Sequence, residues 1–252
     1  MDITRGADRR VDVLIVGGGV GGVAAALTAA DAGASVVLTE ATDWIGGQLT
    51  SQAVPPDDHP WIEQFGSTAR YRDFRHAVRQ YYRAWYPLRA AARSDRYLNP
   101  GLATVSRLSH EPRVALAVLH AMLAPLLASG AVELLLEHRP VAVDVDADTI
   151  SGVTFLGPSG DAVTIEATFV LDATETGDLL PLASVEYVTG AESVEQTGEP
   201  HAALVADPER TQGFTMCFAM DYLADEDHVI DRPAMYDFWR DPQAPVRAAP
   251  QI

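Results

Sequence analysis

Lysine is absent: all 18 basic residues are arginine. That excludes a lysine Schiff base, an internal pyridoxal phosphate anchor and a Walker A lysine. Cysteine occurs once, at Cys217, which excludes an intrachain disulfide, a thiolate metal cluster and a dithiol relay. Its neighbours Met216 and Phe218 predict a buried, inert thiol in a strand near residues 214–220. Neither H-E-x-x-H nor C-x-x-C occurs, so no metal site is expected, and the nucleophile elbow G-x-S-x-G is missing. The acidic run Asp225-Glu226-Asp227 lacks calcium-loop spacing and reads as a solvated turn. Basic charge is scarce, with 18 arginines against 35 acids and a net charge of −17. No nucleic-acid partner is expected from such a surface. No uninterrupted apolar run reads as long enough to span a bilayer, so no membrane partner is expected. Arg9-Arg10 precede only a strand-length apolar stretch, which is too short for a signal sequence; the expected location is the cytoplasm.

What is present is concentrated near the amino terminus. Residues 11–16 are apolar enough for a strand buried on both faces. Gly17, Gly19 and Gly22 then occupy the three positions of G-x-G-x-x-G. The first permits the tight turn, the second lets a pyrophosphate approach the backbone, and the third lets the helix pack on the strand. A helix over residues 20–32 aims its free N–H groups and positive dipole end at the phosphates. Gly33 ends it. A strand over 35–38 follows, and Glu40 stands 18 residues past Gly22. A carboxylate there can accept both ribose hydroxyls and would repel a 2′-phosphate, which disfavours NADP.

Gly46-Gly47 marks a point of unusual dihedrals or close approach. Residues 54–60 read as a loop. Residues 67–86 carry Tyr71, Phe74, Val78, Tyr81, Tyr82 and Trp85 at helical spacing, with Arg70, Arg72, Arg75, Arg79 and Arg83 opposite. Two readings fit: an aromatic core stripe with a solvated arginine face, or a cap helix over an anionic cofactor or substrate. Residues 111–129 form another helix, with Pro112 in its first turn and Pro125 kinking it or ending it early. A strand at 132–136 leads to three alternating segments at 141–145, 150–156 and 162–167, a meander. A short returning strand at 169–171 ends in Asp172-Ala173-Thr174-Glu175-Thr176-Gly177-Asp178. Residues 242–252 are rich in Pro and Ala and carry no packing signal.

The fingerprint, Glu40, Gly46-Gly47, the meander and the run 172–178 together resemble the glutathione-reductase-like class of FAD-dependent oxidoreductases, and most closely the broad FAD-dependent oxidoreductase family. The resemblance implies an α/β fold: a Rossmann-like FAD/NAD(P)-binding domain over 10–190, with a helical insertion at about 54–110 and a three-strand meander. Residues 191–252 would begin a substrate domain. It implies FAD as cofactor, with Gly17, Gly19 and Gly22 at the pyrophosphate and Glu40 at the adenosine ribose. Gly46, Gly47 and Gln48 would lie along the pyrophosphate and ribityl chain, and Thr50 and Ser51 near the flavin ring. Ala173 and Thr174 would end the returning strand beside the cofactor, followed by Gly177 and Asp178. Asp178 also reads as a helix N-cap.

Three departures from the family pattern stand out. Glu175 replaces a glycine that follows Ala-Thr in many relatives. Pro140 lacks an N–H where the class contacts adenine, leaving Val141 as substitute. Relatives are about twice as long and close over the flavin with a glycine-rich segment not found after Asp178, so the chain resembles their amino-terminal half.

Among acid–base candidates His59, His110, His201 and His228, His110 stands out beside Glu111 and Arg113. A capping or surface histidine is the alternative. Arg113 can pair a substrate carboxylate or make an ordinary salt bridge. The leading expectation is an oxidoreductase that moves a hydride or electron pair from a small molecule to FAD. The alternative is a non-catalytic dinucleotide-binding fragment that needs a carboxy-terminal half, a partner or a homo-oligomer. A plain NAD-binding dehydrogenase domain is a third reading, disfavoured by the insertion and meander.

Overall fold

The computed structural model describes residues 9–214, 217 and 223–240. The chain divides into two compact units, Met1–Cys217 and Phe218–Ile252.

The first unit is organised by one six-stranded sheet. Strand β1 (Arg9–Val16) becomes buried toward its carboxyl end, where Leu14, Ile15 and Val16 exclude solvent. Helix α1 (Val20–Asp31) is rich in alanine and glycine on the face that packs on the sheet, and Gly33, at φ +90°, turns the chain back. Strand β2 (Val36–Thr39) then pairs parallel with β1, from Val13 opposite Val36 to Val16 opposite Thr39.

The insertion contributes α2 (Ala69–Trp85) and α3 (Ala90–Ser94). Thr68 caps α2 by accepting from the Tyr71 N–H at 3.2 Å. Helix α4 (Pro112–Ser129) follows, with proline in its first turn and Gly130, at φ +76°, closing it. Pro125 does not end α4, which continues to Ser129. By length and composition α4 is apolar enough to cross a membrane, with a mean hydropathy of 1.5. A search for unbroken apolar runs passes over it because Arg113, His120 and Pro125 interrupt the run. Its Val114, Ala115, Val118, Leu119 and Leu123 are buried in the core.

Strands β3 (Val132–Leu135), β4 (Arg139–Asp146), β5 (Thr149–Leu156) and β6 (Ala162–Asp172) complete the sheet in the order β3-β2-β1-β6-β5-β4. The sequence predicts two strands at 162–167 and 169–171; they are one. Ile165 pairs antiparallel with Val153 of β5 and parallel with Arg9 of β1, so parallel pairing begins before the meander ends. One core cluster joins β1 and β2 to α1, α2 and α4. A second gathers Leu14, Val16 and Val37 with Val153, Phe155, Ile165 and Leu179.

The arginine face of α2 is not wholly solvated. Arg75 and Arg79 are only 2% and 5% exposed. The loop before α2 folds back and brings Asp58 and Glu63 onto them. Arg75 pairs with both acids, and Tyr71 donates to Asp58 at 2.7 Å. Arg79 reaches Glu63 Oε2 at 3.1 Å and the Leu98 carbonyl at 2.9 Å. Burial alone would raise the Glu63 pKa; the Arg79 hydrogen bond and the Arg75 and Arg79 charges overcome it and hold it below the ordinary value.

Beyond the sheet lie α5 (Leu179–Leu182) and α6 (Val194–Thr197), the latter opened by a Ser193–Gln196 capping box. Most of the strand predicted at 214–220 lies outside the described residues. Cys217 is exposed, so the expectation of a buried thiol fails. In the second unit the described segment holds α7 (Tyr236–Arg240), where the Arg232 guanidinium lies 4.8 Å from the Tyr236 ring centroid.

Candidate functional site

The turn from β1 to α1 is closed by contacts that only glycine allows. Gly17 has φ +105°, and a Cβ there would stand 2.2 Å from the Ala173 carbonyl oxygen on the returning strand. A Cβ on Gly22 would meet the Gly17 carbonyl oxygen at 1.9 Å, so the helix seats directly on the turn. Gly18 is equally constrained, since its Cβ would come within 2.8 Å of the Glu40 Cβ. The spacing rule passes over it because it is an x position of the motif.

Glu40, just past β2, is fixed by the protein itself. Its Oε2 accepts from the Gly18 N–H at 2.9 Å; its Oε1 accepts from the Thr42 N–H and hydroxyl, each at 2.8 Å. A carboxylate offers about four acceptor positions. Three are taken, so Glu40 as it stands can take one ribose hydroxyl rather than two. The Thr42 hydroxyl has a second acceptor, the Trp44 carbonyl at 3.0 Å. Turning its proton there frees the second position.

Gly46 and Gly47 both have positive φ, at +103° and +46°. The Gly46 N–H donates to the Gly18 carbonyl at 2.8 Å, which ties this turn to the fingerprint loop. A Cβ on Gly47 would lie 3.2 Å from Gly19 Cα. Gln48 is exposed, and its amide reaches the Pro55 carbonyl at 3.4 Å.

After β6, Asp172 organises the return. It accepts from the Thr174 N–H at 3.0 Å, the Thr174 hydroxyl at 2.7 Å and the Leu179 N–H at 3.0 Å. Asp172, not Asp178, thus supplies the side-chain acceptor at the start of α5; the Asp178 side chain makes no capping bond and instead accepts from the Thr176 hydroxyl. Gly177 turns this loop at φ +71°. Glu175 is not among the residues of positive φ, so a side chain there costs no backbone strain.

These pieces enclose a cleft of about 160 Å³. Of the residues named from the sequence, Gly17, Gly19, Glu40, Ala173, Thr174 and Asp178 line it, as do Pro140 and Glu175, two departures from the family pattern; Thr42 and His138, which the sequence does not single out, join them. Val141 is not on its wall; it sits at a register shift between β4 and β5, with its side chain half exposed. Gly22, Gly46, Gly47, Gln48 and Gly177 also lie outside the lining.

A second cleft, of about 610 Å³, runs past Asp43, Trp44, Thr50, Ser51, Glu111 and Arg113. The Thr50 hydroxyl donates to the Ile45 carbonyl at 2.6 Å, which leaves its oxygen as an acceptor. Arg113 is exposed and makes no salt bridge among the described residues, so the ordinary pairing expected for it is absent. His110 is neither a surface residue nor a cap; Glu111 takes the N-cap position. Its Nδ1 lies 2.9 Å from the Leu108 carbonyl, and its buried Nε2 has no hydrogen-bond partner among the described residues. Burial, aided by the Arg75 charge, pushes its pKa below the ordinary value against the pull of the Leu108 and Leu49 backbones. A third cavity, of about 400 Å³, is lined by Arg72, Arg75, Arg79, Arg83 and Arg96 with Glu63 and Asp73. No cluster suited to a metal ion occurs among the described residues.

The family model described as FAD dependent oxidoreductase matches residues 12–251. The chain belongs to this family. FAD is its cofactor. No curated protein matches the FAD-dependent oxidoreductase chain. Among solved structures, it is similar to a geranylgeranyl bacteriochlorophyll reductase-like protein of Thermoplasma acidophilum, at 17% identity and TM-score 0.43, covering 73% of this chain and 45% of that one. L-proline dehydrogenase from P. horikoshii matches at 17% identity and TM-score 0.38, covering 69% and 24%. A 3-ketosteroid dehydrogenase from Rhodococcus jostii matches at 16% identity and TM-score 0.37, covering 65% and 45%. The chain therefore spans under half the length of these proteins.

The residues of the cleft fit FAD. A Cβ on Gly47 would point at the Gly19 Cα, 3.2 Å away, at the head of α1, and a Cβ on Gly19 would meet only the Glu175 carboxylate, so both positions leave a cradle of backbone open to a phosphate. Glu40 stands at the cleft wall with an acceptor position open to a ribose.

Proposed function

We propose that this chain binds FAD in the manner of the glutathione-reductase-like class and serves an oxidoreductase acting on a small molecule. When bound, FAD supplies a two-electron acceptor, which no side chain can provide. The side chains bind and orient. The amino-terminal turn of α1 and the bare backbone at Gly17 and Gly19 receive the pyrophosphate. Glu40 accepts from the adenosine ribose, and the Gly46–Gln48 turn, tied to Gly18, follows the chain toward Thr50 and Ser51. The 610 Å³ cleft beyond them suits a substrate, and Arg113, without a salt bridge among the described residues, is available to a carboxylate. His110, held neutral by burial, is poorly placed as an acid and acts as packing behind that region.

The observation that carries this reading is the turn at Gly17 and Gly22, where the backbone is closed against Ala173 and against itself beside Gly19, whose Cβ position meets only the Glu175 carboxylate. The test is the visible spectrum of the purified chain with added FAD, set beside that of Gly19→Leu. The Cβ position of Gly19 meets only the Glu175 carboxylate, at 3.0 Å, so the variant should fold. Flavin held by the parent and lost by the folded variant supports the assignment. Equal retention by both overturns it.

A second reading has one observation in its favour. On β6, Phe169 is 64% exposed and Leu171 is also exposed, although both lie on the strand that runs to the cradle. A partner, a second copy or a further segment that covers this strand would make the chain one part of a working enzyme. Light scattering with a hydrophobic dye tests it: a monomer that binds no dye counts against the need for a cover.

A further inference from the structure

Glu175 extends from the returning loop over the cradle. Its Oε1 lies 3.0 Å from the Cβ position of Gly19 and 2.6 Å from that of Gly47. The carboxylate therefore stands between the two bare glycines, at the amino-terminal end of α1. That end attracts negative charge through its dipole and its unpaired N–H groups. Glu175 is nevertheless exposed, and no hydrogen bond or salt bridge from the described residues holds it. Its backbone is free of positive-φ strain. Nothing but the local field and the rotamer keeps the carboxylate where it is.

We propose that Glu175 is an internal anion that competes with the cofactor pyrophosphate for the cradle, so that FAD enters only when this side chain rotates outward. The inference rests on the FAD assignment above. Three features support it. The carboxylate carries the charge that the cradle is built to receive, and it reaches the two positions where a side chain would block a dinucleotide. It is also unanchored, so rotation breaks no hydrogen bond. If it remained in place beside a pyrophosphate, like charges would face each other at contact distance. Glu175 thus weakens cofactor affinity relative to the bare cradle and makes FAD exchangeable, whereas Glu40 on the same cleft stays fixed by Gly18 and Thr42.

The test is calorimetric titration of the full chain with FAD, ADP and adenosine, for the parent, Glu175→Gln, Glu175→Asp and Glu175→Ala. Thermal melts check that each variant folds; loss of an exposed, unbonded side chain removes no folding contact. The expected result is tighter FAD and ADP binding by at least tenfold in Glu175→Ala, a smaller gain in Glu175→Gln, the least in Glu175→Asp, and no change for adenosine, which carries no phosphate. Binding of FAD and ADP by Glu175→Ala where the parent shows none supports the proposal equally. Unchanged FAD and ADP affinity overturns the proposal. Weaker binding also overturns it and makes Glu175 a cofactor ligand. Adenosine tightening as much as ADP means the effect is not on the pyrophosphate, and that too overturns it. Adenosine bound by all forms with no response to position 175 for FAD or ADP removes this inference alone; failure of every form to bind any of the three removes the FAD site as well.

Discussion

The backbone N–H of Gly18 donates to Glu40 Oε2 at 2.9 Å, so the glycine loop and the acid at the end of the next strand form one unit. This bond makes Glu40 a structural residue of the loop as well as the proposed ribose acceptor. Glu40→Ala should therefore act twice. FAD binding should weaken by about 1.5–3 kcal/mol, the range for a hydrogen bond to a charged group. The melting temperature of the cofactor-free chain should fall too, because Gly18 and Thr42 lose their acceptor. Weaker FAD binding with an unchanged melting temperature would mean that the Gly18 bond contributes nothing to the fold.

Two neighbouring glycines should behave in opposite ways. A Cβ on Gly22 meets the Gly17 carbonyl at 1.9 Å, whereas a Cβ on Gly21 meets nothing within 4 Å. Gly22→Ala should cost about 3 kcal/mol through overpacking of the turn. Gly21→Ala should stabilise by about 0.5 kcal/mol through reduced chain entropy in the helix. Chemical denaturation of the two variants checks the pair, and equal stabilities would contradict the seating of α1 on Gly17.

The buried pairing of Glu63 with Arg75 and Arg79 has a pH signature. The Glu63 pKa lies below its unfolded value of 4.5. A lowered carboxylate pKa contributes stability that is present above 4.5 and lost as pH falls through the folded value. Denaturation midpoints should thus drop with acid below about pH 4.5 in the parent, and drop less steeply in Glu63→Gln. Glu63→Ala should cost about 3–5 kcal/mol at neutral pH, since two buried arginines lose a partner.

His110 should resist protonation. Its folded pKa lies below 6.5, so the unfolded chain binds the proton more readily and stability falls as pH drops through and below 6.5. In nitrogen-edited spectra its ring should be mostly neutral at pH 6.5, the ordinary imidazole midpoint. A ring half protonated at pH 6.5 would show that burial does not disfavour its charged form.

What is legible in the sequence is local. Gly17, Gly19, Gly22 and Glu40 are related by spacing along a strand, a helix and a strand, a pattern complete within about thirty residues. The same holds for Pro112 and Gly130 at the ends of α4, where backbone dihedrals alone select the residue type. The boundary between the meander and the returning strand is not legible. Hydropathy alternation cannot tell that Ile165 pairs on both sides, because pairing is a property of three strands at once.

The sequence by itself thus determined the α/β class, the glycine turn and the position of the acid beyond it, since each depends on residues close together in the chain. Only the tertiary structure decided which charges are buried and which side chains share the cradle. Arg75 and Arg79 leave the solvent because a loop more than ten residues away delivers Asp58 and Glu63. Gly19 meets Glu175 because β6 returns beside β1 and brings residues 156 positions apart in the chain within contact. Burial and charge contact depend on distances through space, and those exist only once the sheet has closed.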